Sequence, residues 1–212
     1  MAGLFVAIEG PEGAGKSSLA GALASRLAAA GHEVVAVREP GGTPLAEAAR
    51  AAFLDPGLDA TPLAEVFLLL AARADLVAKV IRPARARGAV VLCDRYDLST
   101  EAYQIAGRGL DGPAVRAANA LATGGLRPDL TLVVNVPATV GRARQASQGK
   151  VPDRVEQADA AFHARVEAAF RAARGPGVVH LDGTAPRATV EAGAWQAVAG
   201  LLGKQTGAAR VP

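Results

Sequence analysis

The sequence predicts an α/β fold, a five-stranded parallel sheet flanked by helices, and three observations carry that reading. Short apolar runs alternate along the chain with longer helical patterns. Residues 4–8, 89–92 and 130–136 are apolar almost throughout, as strands covered on both faces must be. The first of these runs feeds a glycine-rich loop that opens directly into a helical pattern.

Strand one covers residues 4–8, and the loop after it, Gly10-Pro11-Glu12-Gly13-Ala14-Gly15-Lys16-Ser17, fits G-x-x-x-x-G-K-[ST] at every position. Glycines let the backbone amides turn toward an anion, Lys16 reaches the outer phosphates, and the Ser17 hydroxyl can ligand Mg²⁺. The helix beginning near Lys16 adds its positive dipole end, so Gly10 through Ser18 form the candidate phosphate cradle. Motors, switches and kinases share this motif, which leaves the reaction open.

The first helix, 19–30, stops at Gly31, and a second strand over 33–37 ends in the loop Arg38-Glu39-Pro40-Gly41-Gly42-Thr43. Thr43-Pro44 and Thr61-Pro62 each read as an N-cap with proline at the first helical position, the second ahead of a long helix to about Arg85. Strand three, 89–92, delivers Asp94-Arg95-Tyr96 at its carboxyl end, where ligands of open parallel sheets bind. Helices follow over 100–106 and 113–122, the latter ended by Gly124-Gly125. Strand four is 130–136, then come a helix over 137–144, a polar loop over 145–152, a helix over 155–174, strand five over 178–181 and a closing helix over 186–202. The expectation is one domain over 1–202, with a short lid at about 142–154 and a disordered tail at 203–212.

With 212 residues, half of them hydrophobic, the chain can bury a sizeable core. The 23 Lys+Arg against 20 Asp+Glu leave +3, which suits a small anionic substrate, and no long basic run argues for nucleic acid. Cys93 is the only cysteine, so no intrachain disulfide forms, and its apolar run marks it as a buried, inert thiol. His163 on a helix and His180 on a buried strand read as packing or surface residues. No basic region precedes the first apolar run, and no uncharged apolar segment reaches the ~18–20 residues of a membrane helix. The expectation is a cytoplasmic protein without membrane contact.

Phosphoryl transfer needs a carboxylate on the metal side and cations for the acceptor phosphate. Asp94 is placed to hold Mg²⁺ through water, and Arg95 can grip a phosphate with a forked pair of hydrogen bonds; a surface Asp-Arg ion pair is the less favoured alternative from position alone. Further segments extend the pattern: Arg38 to Thr43, Asp94-Arg95-Tyr96 with Leu98-Ser99-Thr100-Glu101-Ala102-Tyr103-Gln104, Gly107-Arg108-Gly109, Pro128-Asp129-Leu130-Thr131-Leu132 and Asp153-Arg154-Val155-Glu156. In order and spacing these resemble bacterial thymidylate kinases, of the P-loop nucleoside monophosphate kinase family, from Leu4 to about Leu202.

The resemblance implies transfer of the γ-phosphoryl of ATP to thymidine monophosphate (dTMP), with Mg²⁺, in dTTP synthesis, by a homodimer. It implies that Gly10, Pro11, Glu12, Gly13, Ala14, Gly15, Lys16, Ser17 and Ser18 bind ATP, with Ser17 and Asp94 serving the metal. Glu12 would lie near the acceptor sugar's 3′-hydroxyl, Arg95 would grip the acceptor phosphate, and Arg73 would hydrogen-bond a thymine carbonyl. Ser99 and Thr100 would line the base pocket, Gln104 would help close it, and Tyr103 would crowd the 2′ side against ribonucleotides.

Three positions depart from the family pattern. Leu69 stands where an aromatic ring stacks on the base, and Phe67, about 200° around the helix from it, cannot simply substitute. Gly13 stands where some members carry a loop arginine, and Ala146 and Gln148 where lid arginines recur; Arg144, Lys150 and Arg154 are the remaining cations, Arg144 first because Arg154 can pair with Asp153 or Glu156. Asn135 replaces an acidic residue at the end of strand four. A kinase for another acceptor, with a pocket altered by Leu69, stays open. So does a nucleotide-dependent switch, although N-K-x-D, D-x-x-G and the early lysine of partitioning ATPases are missing from the sequence, and so does an inactive scaffold.

Overall fold

The computed structural model describes residues 2–147, 149 and 153–208. Its sheet is all parallel, in the order β2-β3-β1-β4-β5, with β1 Phe5–Glu9, β2 Val34–Arg38, β3 Val90–Asp94, β4 Leu130–Asn135 and β5 Val178–Asp182. The central strands β3, β1 and β4 are buried nearly throughout, whereas the edges β2 and β5 are half exposed. That difference is why the three central runs are the most uniformly apolar. Ile8 pairs with Asp94 and with Leu132, which sets Glu9, Asp94 and the loop after β1 together at the carboxyl edge.

Nine helices are described: α1 Lys16–Ala29, α2 Pro44–Leu54, α3 Pro62–Leu76, α4 Arg82–Ala86, α5 Asp97–Thr100, α6 Gly112–Thr123, α7 Ala138–Ser147, α8 Ala160–Ala172 and α9 Arg187–Ala208. Side chains alternate across β1, so Val6 and Ile8 meet α1 and α9 through Leu19, Leu23 and Val198. Phe5 and Ala7 meet Leu76, Ile81 and Tyr96 on the other face. Beside that layer, Phe53, Tyr103, Phe162 and Phe170 gather under the carboxyl edge.

Both threonine caps form, Thr43 accepting from the Ala46 amide at 3.1 Å and Thr61 from Ala64 at 3.4 Å. The long helix to Arg85 instead has three pieces, α3, a π-helical stretch Val77–Ile81, and α4. Pro83 accounts for the break: its ring would strike the carbonyl four residues back, and the wider π turn makes room. A second π stretch, Glu101–Gly107, follows α5 where a plain helix over 100–106 was expected, and it carries Tyr103 and Gln104.

Beyond β4, α7 runs to Ser147, into the expected polar loop, and α8 starts at Ala160 instead of 155. There Asp159 caps α8 through the Phe162 amide at 2.7 Å, while Asp153 accepts from the Val155 and Glu156 amides, both at 3.0 Å, and holds a turn. The closing helix α9 continues past Leu202 to Ala208, through residues expected to be a disordered tail; glycine weakens a helix without stopping it, and the next proline is Pro212. Residues 209–212 lie outside the described residues. His180 is exposed, because β5 is an edge strand, and it pairs with Asn135 at 2.9 Å.

Candidate active site

The loop after β1 closes around Lys16, which is buried and donates to the Pro11 carbonyl at 2.8 Å. Burial brings its ammonium down to about 8, against the opposing pull of Asp94, Glu12 and Glu9. Gly10 supplies a carbonyl to Arg95 at 3.1 Å, Ala14 packs beneath the loop, and Gly15 and Ser18 line the cleft. Ser17 donates to Asp94 at 2.5 Å, which joins the start of α1 to the end of β3. A hydroxyl and a carboxylate are hard oxygen donors and suit a Mg²⁺ that keeps phosphates and water as its other ligands. Among the described residues, no group of three or more His, Cys, Asp or Glu forms a metal cage.

Gly13 has φ +68, and a Cβ there would come within 2.2 Å of the Gly141 carbonyl. The start of α7 therefore rests on the loop backbone, and no loop arginine fits at residue 13. Three residues on from Gly141, Arg144 donates to the Gly13 carbonyl at 3.3 Å and to Gly183 at 2.9 Å, and it lines the cleft. Arg154 turns elsewhere, to the Phe53 carbonyl and to the buried Glu65 at 2.5 Å, not to Asp153 or Glu156 as expected. Glu65 also takes Arg108 at 2.8 Å. Lys150 and Gln148 lie outside the described residues.

Arg95 has φ +74, a left-handed conformation that costs a non-glycine residue and turns its side chain over the cleft. It donates to Ser99, Glu12 and Tyr103, at 3.1, 3.2 and 3.2 Å, and the Tyr103 hydroxyl donates to Glu12 at 2.5 Å. Burial alone would raise the Glu12 carboxyl, but Arg95, Lys16 and Tyr103 outweigh it and hold Glu12 below the usual carboxylate range. Beneath this group, Glu9 accepts from the Tyr96 amide, the Ser99 amide and the Ser99 hydroxyl, at 2.7, 3.1 and 2.6 Å, and fixes the turn that carries Arg95.

At the far end, Leu69, Arg73, Thr100 and Gln104 line the same cleft, which measures about 510 Å³. Phe67 is 60% exposed and faces away. Arg73 is 2% exposed, and its donors meet Glu39, Thr100, Asn119 and the Tyr96 carbonyl. Asn135, turned toward His180, takes no part in the cleft. Cys93 is buried and donates to the Arg95 carbonyl, and burial pushes its thiol well up.

Sequence reasoning assigned no role to Arg38, Glu39, Arg50 or Asn119. The first three line the cleft, and Asn119 sits behind Arg73. Arg38 and Glu39 belonged to a segment noted only for its pattern. Arg50, in the alanine-rich α2, and Asn119, in α6, look like ordinary surface residues until the helices are placed.

The thymidylate kinase family model matches residues 8–192, from the end of β1 into α9. A thymidylate kinase of Deinococcus radiodurans is 49% identical over 199 residues, covering 92% of this chain and 96% of that protein. One from Pseudomonas fluorescens strain SBW25 is 50% identical over 206 residues, covering 95% and 96%, and one from strain Pf-5 is 51% identical over 195 residues, covering 90% and 92%. Among the described residues, no helix is long and apolar enough to cross a membrane. With strands β2 to β5, the end of β1 and every residue lining the cleft inside the matched span, the chain belongs to the thymidylate kinase family, a family of transferases.

Proposed function

We propose that the protein transfers the γ-phosphoryl group of ATP to dTMP, giving ADP and dTDP toward dTTP synthesis, as a cytoplasmic homodimer. The observation that carries this reading is the single cleft, with a phosphate loop at one end and the Arg95–Glu12–Tyr103 cluster leading to Arg73 at the other. Mg²⁺ is the cofactor, and when bound to Ser17, Asp94 and the phosphates it supplies charge neutralisation.

Lys16 leaves the Pro11 carbonyl for the ATP phosphates, and a few kcal/mol of charge-assisted hydrogen bonding offsets its burial, ~1.5–3 kcal/mol per bond. Arg95 orients the dTMP phosphate as the incoming nucleophile, with Arg50 and Arg38 adding positive charge on that wall. The acceptor phosphate is already ionised, so no general base is needed. Arg144 lies over the loop where charge builds on the transferring group. Glu12 and Tyr103, locked together, sit against the sugar, while Arg73 offers a donor to a thymine carbonyl that cytosine's amino group could not accept. Leu69 gives the base an apolar floor without stacking. Leu63 and Phe67, one turn apart on α3, and Leu121 on α6 are exposed apolar side chains that a partner subunit would cover.

The test is chromatographic detection of dTDP and ADP from ATP, Mg²⁺ and dTMP. Product that requires dTMP and vanishes in Lys16→Ala supports the reading; nucleotide turnover indifferent to dTMP defeats it.

A further inference from the structure

Arg73 reaches the cleft from α3, but nothing on α3 holds it there. Its Nε and Nη2 both lie 2.6 Å from Glu39 Oε2, Nη2 also donates to the Tyr96 carbonyl at 2.9 Å, and Nη1 donates to Thr100 at 3.0 Å and Asn119 at 2.6 Å. Of the five N–H groups of a guanidinium, four donate in hydrogen bonds here, and Nη2 adds an ion-pair contact to Glu39. The forked edge faces the carboxylate, and Nη1 is the corner that meets neutral side chains. Of its two partners only Thr100 lines the cleft, so a base carbonyl enters by sharing or replacing that contact.

We propose that Glu39 is the positioning residue for base selection: from the end of β2 it fixes the plane of the Arg73 guanidinium, so that Nη1 is presented to the base. Asn119 steadies the same corner from α6. The inference deepens the proposed function and rests on it.

Two features separate Glu39 from a residue kept for packing. Its Oε1 is a buried side-chain oxygen without a hydrogen-bond partner, the one such atom among the described residues. Glu9, also buried, uses both carboxylate oxygens for three donors and reads as structural. Glu39 leaves one oxygen unsatisfied and places the other where two N–H groups of one arginine converge. The pair is also dry, with both side chains under 5% exposed at 3% and 4%, so the charge of Arg73 has Glu39 as its direct carboxylate partner. The Glu39 amide, bonded to the Asp94 carbonyl at 2.9 Å, ties this anchor to the sheet edge and so to the phosphate end of the cleft.

Glu39→Gln keeps the shape and one acceptor while removing the charge. The expected result is a KM for dTMP raised about 10- to 100-fold, with a parallel fall in selectivity for dTMP over dCMP. The KM for ATP and kcat at saturating dTMP should stay within about threefold. Asn119→Ala should shift the dTMP KM in the same direction by about three- to tenfold, and Glu39→Asp, which keeps the charge but withdraws it by one methylene, should fall between wild type and Glu39→Gln. If Glu39→Gln does not fold, Glu39→Asp and Asn119→Ala carry the test alone. A wild-type protein inactive on dTMP overturns the proposed function instead. Wild-type activity with unchanged dTMP KM and selectivity in the variants, or a loss confined to kcat, overturns the role of Glu39.

Discussion

Lys16, Arg95, Arg73 and Arg144 each rest on a protein acceptor, and each of those contacts is one that a nucleotide can replace. The cations are thus already gathered, and ligand binding exchanges partners instead of assembling the site. Arg144 and Arg154 separate cleanly at this scale. Arg144→Ala should lower kcat by at least about a hundredfold in a steady-state assay with little change in melting temperature, because it removes a charge facing the transferring group. Arg154→Ala should do the reverse: the side chain lies outside the cleft, and its loss strips one of two cations from buried Glu65, at a cost of about 1–3 kcal/mol in denaturant unfolding. Leu69→Phe adds the missing ring to the pocket floor. It should lower the KM for dTMP by about fivefold or more, given the ~1–3 kcal/mol of base–aromatic stacking, and a rise would mean that the base sits elsewhere.

Elements position those residues, and the contact that matters most is between α7 and the phosphate loop. A Cβ on Gly141 would lie 2.2 Å from the Glu12 carbonyl, so Gly141→Ala must push α7 off the loop and carry Arg144 with it. Steady-state kinetics should show kcat reduced by about tenfold or more, with the acceptor's KM changed less. A wild-type kcat would show that Arg144 works without this seating. Local signals made many element boundaries legible: Thr-Pro caps at helix starts, paired glycines at the end of α6, apolar runs before each ligand-bearing edge. Other boundaries depended on tertiary partners. The π stretch before α4 answers Pro83, and the late start of α8 reflects Asp153 and Asp159 each bonding its own neighbours, a choice that helical periodicity over 155–174 does not reveal.

Across the molecule, the β2-β3-β1-β4-β5 order brings the ends of β1 and β3 side by side, and the cleft is the consequence. Residues within a contiguous motif, such as Gly10 to Ser18 or Asp94-Arg95, could be read from the chain because a short segment carries their whole geometry. Glu39, Arg50 and Asn119 could not, since they join the site only when β2, α2 and α6 have found their places around α3. Leu69 was legible as a missing ring, and the structure adds that Phe67 points outward. Discrimination between bases therefore belongs to the assembled fold more than to any one segment. The measurement that tests this account most directly is coupled ADP release with ATP, Mg²⁺ and a panel of nucleoside monophosphates in deoxy and ribo forms, with Lys16→Ala as the blank. The account predicts kcat/KM for dTMP at least about a hundredfold above dCMP and the ribonucleotides. Equal or greater activity with another acceptor, or ADP release without any acceptor, would contradict it.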